Sequence, residues 1–101
     1  MARKQASLVD HLRKRYVGDD ERRRADFDQA RANADVARKI HALRKAAGLS
    51  QRELAELVGT TASVICRLED DDYEGHSLNM LHRIAAATGN RVEIRFVRDR
   101  R

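Results

Sequence analysis

The sequence predicts a mainly all-α domain that ends in a single β-strand, and three observations support this fold class. Proline is absent from the 101 residues, and hydrophobic residues make up 42% of them, which is enough to form a core. Strong helix formers such as alanine, leucine and arginine are plentiful. Apolar residues recur at helical spacing over most of the chain, and they alternate with charged ones only between residues 91 and 97.

Composition narrows the classes of function. The formal charge of +5 and the pI near 10.0 are compatible with DNA binding, although a basic tail alone could produce them. Cys66 is the single cysteine, so no disulfide can form within the chain, and this fits a reducing compartment. No apolar run approaches the ~20 residues of a membrane span, and no signal-peptide pattern occurs. We therefore expect a soluble, cytoplasmic protein without a membrane partner.

Residues 49–69, LSQRELAELVGTTASVICRLE, are typical of two short helices joined by a tight turn. Ser50 and Glu53 have the spacing of a capping box for the first helix, and Gly59 can end it in the left-handed conformation. The apolar positions of this helix are Leu54, Leu57 and Val58. Thr61 can cap the second helix. A helix, a turn with glycine and a second helix predict a DNA-reading helix-turn-helix.

Helical patterns also precede this pair. Residues 7–17 place Leu8, Leu12 and Tyr16 on one narrow apolar stripe. This segment can pack on its own domain or become ordered against a partner protein, and the pattern leaves both open. Between residues 20 and 47 there is no glycine or proline, which predicts one long helix or two abutting helices.

The C-terminal part is predicted to hold a last helix, over residues 77–89, and then a strand, over residues 91–97. In the strand Val92, Ile94 and Phe96 alternate with charged residues, which is typical of a half-buried strand. A single strand cannot satisfy its own backbone groups, and the sequence contains no other clear strand. We therefore expect it to pair with the same strand of a second copy about a two-fold axis; pairing with another protein is the alternative.

Residues 40–96 resemble the Xre family of helix-turn-helix repressors, to which the phage Cro repressors belong. The matching stretches are LRKAAGLSQRELAELVGTTASVICRLED and SLNMLHRIAAATG. The resemblance implies a lambda-repressor-like helical bundle. The N-terminal extension and the ending RVEIRFV narrow it to HigA-type antitoxins of toxin–antitoxin pairs. The predicted parts are a helical extension over residues 1–35, a helix-turn-helix domain with a C-terminal dimerisation strand over residues 36–97, and a basic tail over residues 98–101.

If the second helix of the pair enters the major groove, its outward residues read DNA, since Ile65 and Leu68 face inward. The outward set is Ala62, Ser63, Cys66 and Arg67. Arg67 can pair with a guanine edge or take a phosphate, and Ser63 can donate to a base or a phosphate. Family members often carry Gln at the position of Ala62, so base readout rests more on Arg67 and Ser63.

Contacts with the DNA backbone are expected at the start of the first helix. The resemblance implies that Gln51 meets a phosphate with its side chain and its backbone amide. Arg52 and Thr61 are further candidates for backbone contacts. The resemblance also implies a structural ion pair between Arg44 and Glu69.

Three consecutive aspartates, residues 70–72, follow the helix pair. Their charges would repel phosphate groups. We therefore expect this loop to point away from DNA, or to weaken DNA binding.

The antitoxin resemblance implies a second partner, a RelE-like or HigB-like toxin that cuts mRNA on the ribosome. Such an antitoxin silences the toxin by direct binding and, as a homodimer, represses its own operon at a palindromic operator. We expect the toxin to bind residues 1–35, because a bare Xre repressor does not need this extension. The apolar candidates are Leu8, Leu12, Tyr16 and Phe27. The alternative is a stand-alone Xre-family repressor without a toxin partner.

No pattern for catalysis or metal binding occurs in the sequence. The four histidines are scattered and lack the spacing of metal ligands. Nothing resembles a nucleophile with its base, a phosphate-cradling glycine loop or a pair of catalytic carboxylates. We expect no enzymatic activity, no cofactor and no metal.

Overall fold

The computed structural model describes residues 18–99. Within this range it has four helices and no strand: α1 (Gly18–Ala46), α2 (Gln51–Val58), α3 (Ala62–Leu68) and α4 (Leu78–Ala87). The mainly helical fold class predicted from the sequence is therefore confirmed. None of the helices in this described range is long and apolar enough to cross a membrane.

Helix α1 is 29 residues long, so the structure has the first of the two predicted alternatives, one long helix instead of two abutting helices. The described residues belong to two compact units, one that includes residues 18–32 and one that includes residues 33–99. Arg44 and Lys45 lie in the last turn of α1, where positive charge is favourable at the negative end of the helix dipole. Gly48, with φ of 71°, lies just beyond its end.

Local capping sets the limits of α2 as the sequence predicts. The Ser50 hydroxyl accepts a hydrogen bond from the Glu53 N–H at 3.0 Å, and the Ser50 N–H donates to Glu53 Oε1 at 2.9 Å. Hydrogen bonds to the Glu53 carboxyl, first from the backbone of Ser50 and then from its side chain, hold the pKa of this carboxyl below its ordinary value. At the other end, Gly59 has φ of 77° and its N–H donates to the carbonyl of Ala55. The capping box and the glycine turn are therefore confirmed.

Helix α3 follows within a few residues and is also capped. The Thr61 hydroxyl accepts a hydrogen bond from the Val64 N–H at 3.3 Å. The α3 residues Ile65 and Leu68 are buried, as predicted. The helix-turn-helix is thus formed by α2, the Gly59 turn and α3.

The core of the unit beyond residue 32 comes from all four helices. It contains Ile40, Leu54, Ala55, Val58, Ile65, Leu68 and Ile84. Leu57 was predicted on the apolar face of α2, but this expectation was wrong, because its side chain is 61% exposed. The buried face of α2 consists of Leu54, Ala55 and Val58, and the small Ala55 replaces Leu57 as its third member.

The C-terminal strand predicted over residues 91–97 is not formed in this structure. Residues 90–99 adopt neither helix nor strand. Ile94 is 59% exposed and Phe96 is 99% exposed, while Val92 is half-buried. The reason is physical: a strand needs a neighbour for its backbone hydrogen bonds, and the described residues of this chain supply none. Pairing with a second copy stays a prediction.

Some predictions concern residues outside the described range. They are the helix over residues 7–17 with its apolar stripe of Leu8, Leu12 and Tyr16, and the last two residues of the basic tail. Phe27, the remaining candidate for toxin binding, lies on α1 and is 63% exposed.

Candidate nucleic-acid interface

Helix α3 presents a polar face to solvent and an apolar face to the core. Ile65 is fully buried and Leu68 is 3% exposed, so packing fixes the rotation of the helix. Three predicted contact residues are exposed as a result, namely Ser63, Cys66 and Arg67. The Arg67 guanidinium carries five N–H donors and can bind two acceptors on a guanine edge.

Ala62, the fourth predicted member of this face, is half-buried at the start of α3. Thr61 is exposed just before it, and its hydroxyl already accepts the capping hydrogen bond of Val64. The oxygen of that hydroxyl is thus engaged as an acceptor, while its O–H remains able to donate to a phosphate.

An open groove connects the start of α2 to the start of α3. It is lined by Arg44, Lys45, Gly48, Leu49, Ser50, Gln51, Arg52, Glu53 and Ala62. Three of these residues are cationic and one is acidic. The first backbone N–H groups of α2 lack partners within the helix, and the helix dipole places partial positive charge there. The groove is therefore suited to an anion such as a DNA phosphate.

The ion pair between Arg44 and Glu69 is present beneath this groove. Arg44 Nε donates to Glu69 Oε2 at 2.7 Å, and Arg44 Nη2 donates to Oε1 at 3.0 Å. The two side chains are only 8% and 4% exposed. Arg44 Nη1 also donates to the carbonyl of Leu49 at 2.9 Å. The pair is bidentate, and it joins α1 both to the loop before α2 and to the end of α3.

Two further residues contact the same carboxylate. His41 Nδ1 lies 2.8 Å from Glu69 Oε1, and Gln51 Nε2 donates to this oxygen at 3.3 Å. Neither contact was predicted from the sequence. A signal was available for His41, because it lies three residues before Arg44 and therefore on the same face of α1.

The hydrogen bonds decide the charge state of the pair. Burial alone would raise the pKa of the Glu69 carboxyl, but hydrogen bonds from Arg44, His41 and Gln51 outweigh burial and hold the pKa below its ordinary value. The hydrogen bond to Glu69 raises the pKa of the Arg44 guanidinium despite its burial. Both groups are therefore charged at neutral pH.

His76 holds the other end of α3. Its Nε2 donates to the carbonyl of Leu68, the last residue of the helix, at 2.8 Å. The Tyr73 ring packs edge-on against the imidazole with 5.1 Å between the ring centroids. The last carbonyls of a helix lack partners within it, so this bond stabilises the C-terminal end of α3. This role of His76 was not predicted from the sequence.

The acidic loop after α3 makes contacts within the protein. Asp71 Oδ2 lies 3.6 Å from Arg38 Nη1 of α1, in an exposed ion pair. The Asp72 N–H donates to Asp70 Oδ1 at 2.9 Å, which closes a local turn. No group of three or more potential ligands is arranged for a metal ion in the described part of the chain.

Comparison with known families agrees with this geometry. Residues 19–97 match the family model described as a helix-turn-helix domain. This range includes all of α2, α3 and α4 and nearly all of α1. No curated protein matches the chain.

Proposed function

The chain belongs to the helix-turn-helix domain family, and from this we propose that it is a sequence-specific DNA-binding repressor. The observation that carries the proposal is the exposed face of α3, with Ser63 and Arg67 held outward by the burial of Ile65 and Leu68. The proposal includes no catalytic step, no cofactor and no metal.

Base readout in this proposal rests on α3 in the major groove. Arg67 pairs with a guanine edge, Ser63 donates to a base or a phosphate, and the Ala62 methyl contacts a thymine methyl. Cys66 lies on the same exposed face. With few long donors on α3, shape and deformability of the DNA add to specificity.

Backbone contacts come from the groove at the start of α2. Gln51 and Arg52 meet a phosphate at the positive end of this helix, and Lys45 lies in the same groove. Thr61 donates its hydroxyl to a neighbouring phosphate. These contacts fix the register of α3 without reading sequence.

The DNA proposal is tested with the full chain and a duplex selected from a random-sequence pool by the chain itself. We expect Arg67→Ala to weaken binding to the selected duplex about fivefold or more, because a bidentate contact to guanine is worth ~1–3 kcal/mol. Arg83→Ala is the matched control, since it removes the same charge from an exposed position on α4. Failure to select any sequence would refute specific DNA binding. Equal affinity of Arg67→Ala and Arg83→Ala for the selected duplex would show that Arg67 does not read a base.

We further propose that the chain acts as a homodimer on a palindromic operator and that it is an antitoxin for a RelE-like ribonuclease. Support for the antitoxin role is the resemblance to HigA-type antitoxins, together with the N-terminal extension over residues 1–35. Phe27 supports a protein contact there, because a large aromatic side chain is 63% exposed on α1. The alternative is a repressor that has no toxin partner.

Co-expression tests the antitoxin role. The full chain should protect cells from a toxic, small, basic protein encoded by the adjacent gene. Phe27→Asp should weaken this protection, because it places a charge in the proposed contact. Leu57→Asp is the control, since Leu57 is similarly exposed but lies on α2. Equal protection by both variants would contradict the placement of the toxin surface, and the absence of a toxic neighbour would favour the stand-alone repressor.

A further inference from the structure

We propose that Glu69 is a positioning residue for the DNA-backbone contact. Its carboxylate holds the side-chain amide of Gln51 at the start of α2, and the exposed side chain of His41 contacts the same carboxylate. This inference rests on the proposed DNA-binding function. It assigns a role in binding to two residues that would not themselves touch DNA. One of these two residues is His41, an exposed histidine of α1.

Three side-chain nitrogens lie within hydrogen-bond distance of one carboxylate oxygen of Glu69. Glu69 Oε1 lies 3.0 Å from Arg44 Nη2, 2.8 Å from His41 Nδ1 and 3.3 Å from Gln51 Nε2. Guanidinium and amide nitrogens only donate, so the carboxylate is their shared acceptor. One buried carboxylate thus joins a residue at the start of α2 to two residues of α1.

The Nδ1 nitrogen of His41 lies beside both Glu69 and Arg44. Its Nδ1 lies 2.8 Å from Glu69 Oε1 and 3.3 Å from Arg44 Nη2. An unprotonated Nδ1 would direct its lone pair at the carboxylate oxygen at that short distance, which is unfavourable. In the tautomer with a hydrogen on Nδ1, His41 donates to Glu69, and this nitrogen then makes no hydrogen bond with Arg44 Nη2, which can only donate. The side chain of His41 is 51% exposed, so it can be replaced without opening the core.

The side-chain amide of Gln51 has two N–H donors, and Glu69 engages one of them. The second remains for a phosphate, beside the backbone N–H groups of the first turn of α2. An amide that is already held loses less conformational freedom when DNA binds. His41 and Glu69 therefore contribute to affinity through Gln51.

A double-mutant cycle with His41→Ala and Gln51→Ala tests this mechanism on the selected duplex. We expect His41→Ala to weaken binding about threefold to tenfold, the range of a single net hydrogen bond. In the Gln51→Ala background the same change should alter affinity less than about twofold. His41→Asn should retain most of the affinity, because its amide nitrogen can occupy the place of Nδ1. His82→Ala is the matched control, an exposed histidine on α4.

Additive losses in the cycle would overturn the inference, because His41 would then act on DNA without Gln51. An unchanged affinity in Gln51→Ala would also overturn it. In either case the wild-type chain still binds the duplex, so failure of the positioning role is distinct from failure of the proposed function. A second readout needs no DNA: His41→Ala, but not His82→Ala, should shift the side-chain amide resonances of Gln51 in the NMR spectrum. Unchanged Gln51 resonances would refute the coupling in the free protein.

Discussion

At the scale of single residues, Arg44 connects three segments through one side chain. It contacts the carbonyl of Leu49 before α2 and the carboxylate of Glu69 after α3, while its own backbone belongs to α1. Removing charges from water is costly, and the bidentate geometry with two further donors on Glu69 offsets that cost. The pair thereby specifies how the two helices of the DNA-binding unit sit against α1.

The Arg44–Glu69 pair should make stability depend on pH. Because the pKa of Glu69 is lowered by folding, the carboxylate stabilises the folded protein above its ordinary pKa of about 4.5, and this contribution is lost as the pH falls through the lower folded-state pKa. We expect Glu69→Leu alone to lower the free energy of unfolding by about 3 kcal/mol or more, since it leaves the Arg44 guanidinium buried and unpaired. Arg44→Met with Glu69→Leu should recover most of that loss and reduce the acid sensitivity.

Urea denaturation between pH 7 and pH 3 measures both effects. Glu53 keeps a lowered pKa in all three proteins, so some acid sensitivity should remain in the double variant. A double variant that is as unstable as Glu69→Leu, or as acid-sensitive as the wild type, would contradict the assigned role of the pair.

At the scale of elements, the helix boundaries could be read from the sequence because caps are local. Ser50 and Glu53 lie three residues apart and bond to each other, and Gly59 adopts positive φ where a left-handed residue is needed. The contact between His76 and Leu68 could not be predicted in this way. It joins residues eight positions apart across an irregular loop.

The position of Leu57 illustrates the limit of apolar periodicity. The pattern of α2 allowed Leu57 on the buried face, but the residues of α2 that are buried in the core are Leu54, Ala55 and Val58. A helix of eight residues has few apolar positions, so the pattern alone does not show which of them the neighbouring helices bury. Leu57 instead lines a shallow groove with Val58, Arg83, Ala86 and Ala87.

At the scale of the whole molecule, apolar surface remains uncovered in the described part of the chain. Ile94, Phe96 and Val97 are 59%, 99% and 81% exposed in the segment after α4. Exposed apolar side chains next to unpaired backbone are a surface suited to another strand. The proposed homodimer would cover this segment by pairing it with its copy.

Light scattering of the full chain tests this dimer. We expect the wild type to be dimeric and Ile94→Asp with Phe96→Asp to be monomeric, because the substitutions place charges on the apolar face of the paired strand. Arg91→Asp with Arg95→Asp is the matched control, since it introduces the same residues at the alternate positions. A wild-type monomer, or a dimer that survives the apolar substitutions, would refute strand pairing.

The sequence by itself determined the helices, their caps, the glycine turn and three of the four residues predicted on the outward face of α3, because each depends on residues within a few positions of one another. Tertiary structure decided the rest of the candidate site. The bonds from Arg44 and His41 to Glu69 span 25 and 28 positions, and Gln51 is 18 positions from Glu69. The resemblance implied the ion pair of Arg44 with Glu69, whereas the contacts of His41 and Gln51 with the same carboxylate were not predicted, because their geometry exists only after the helices pack.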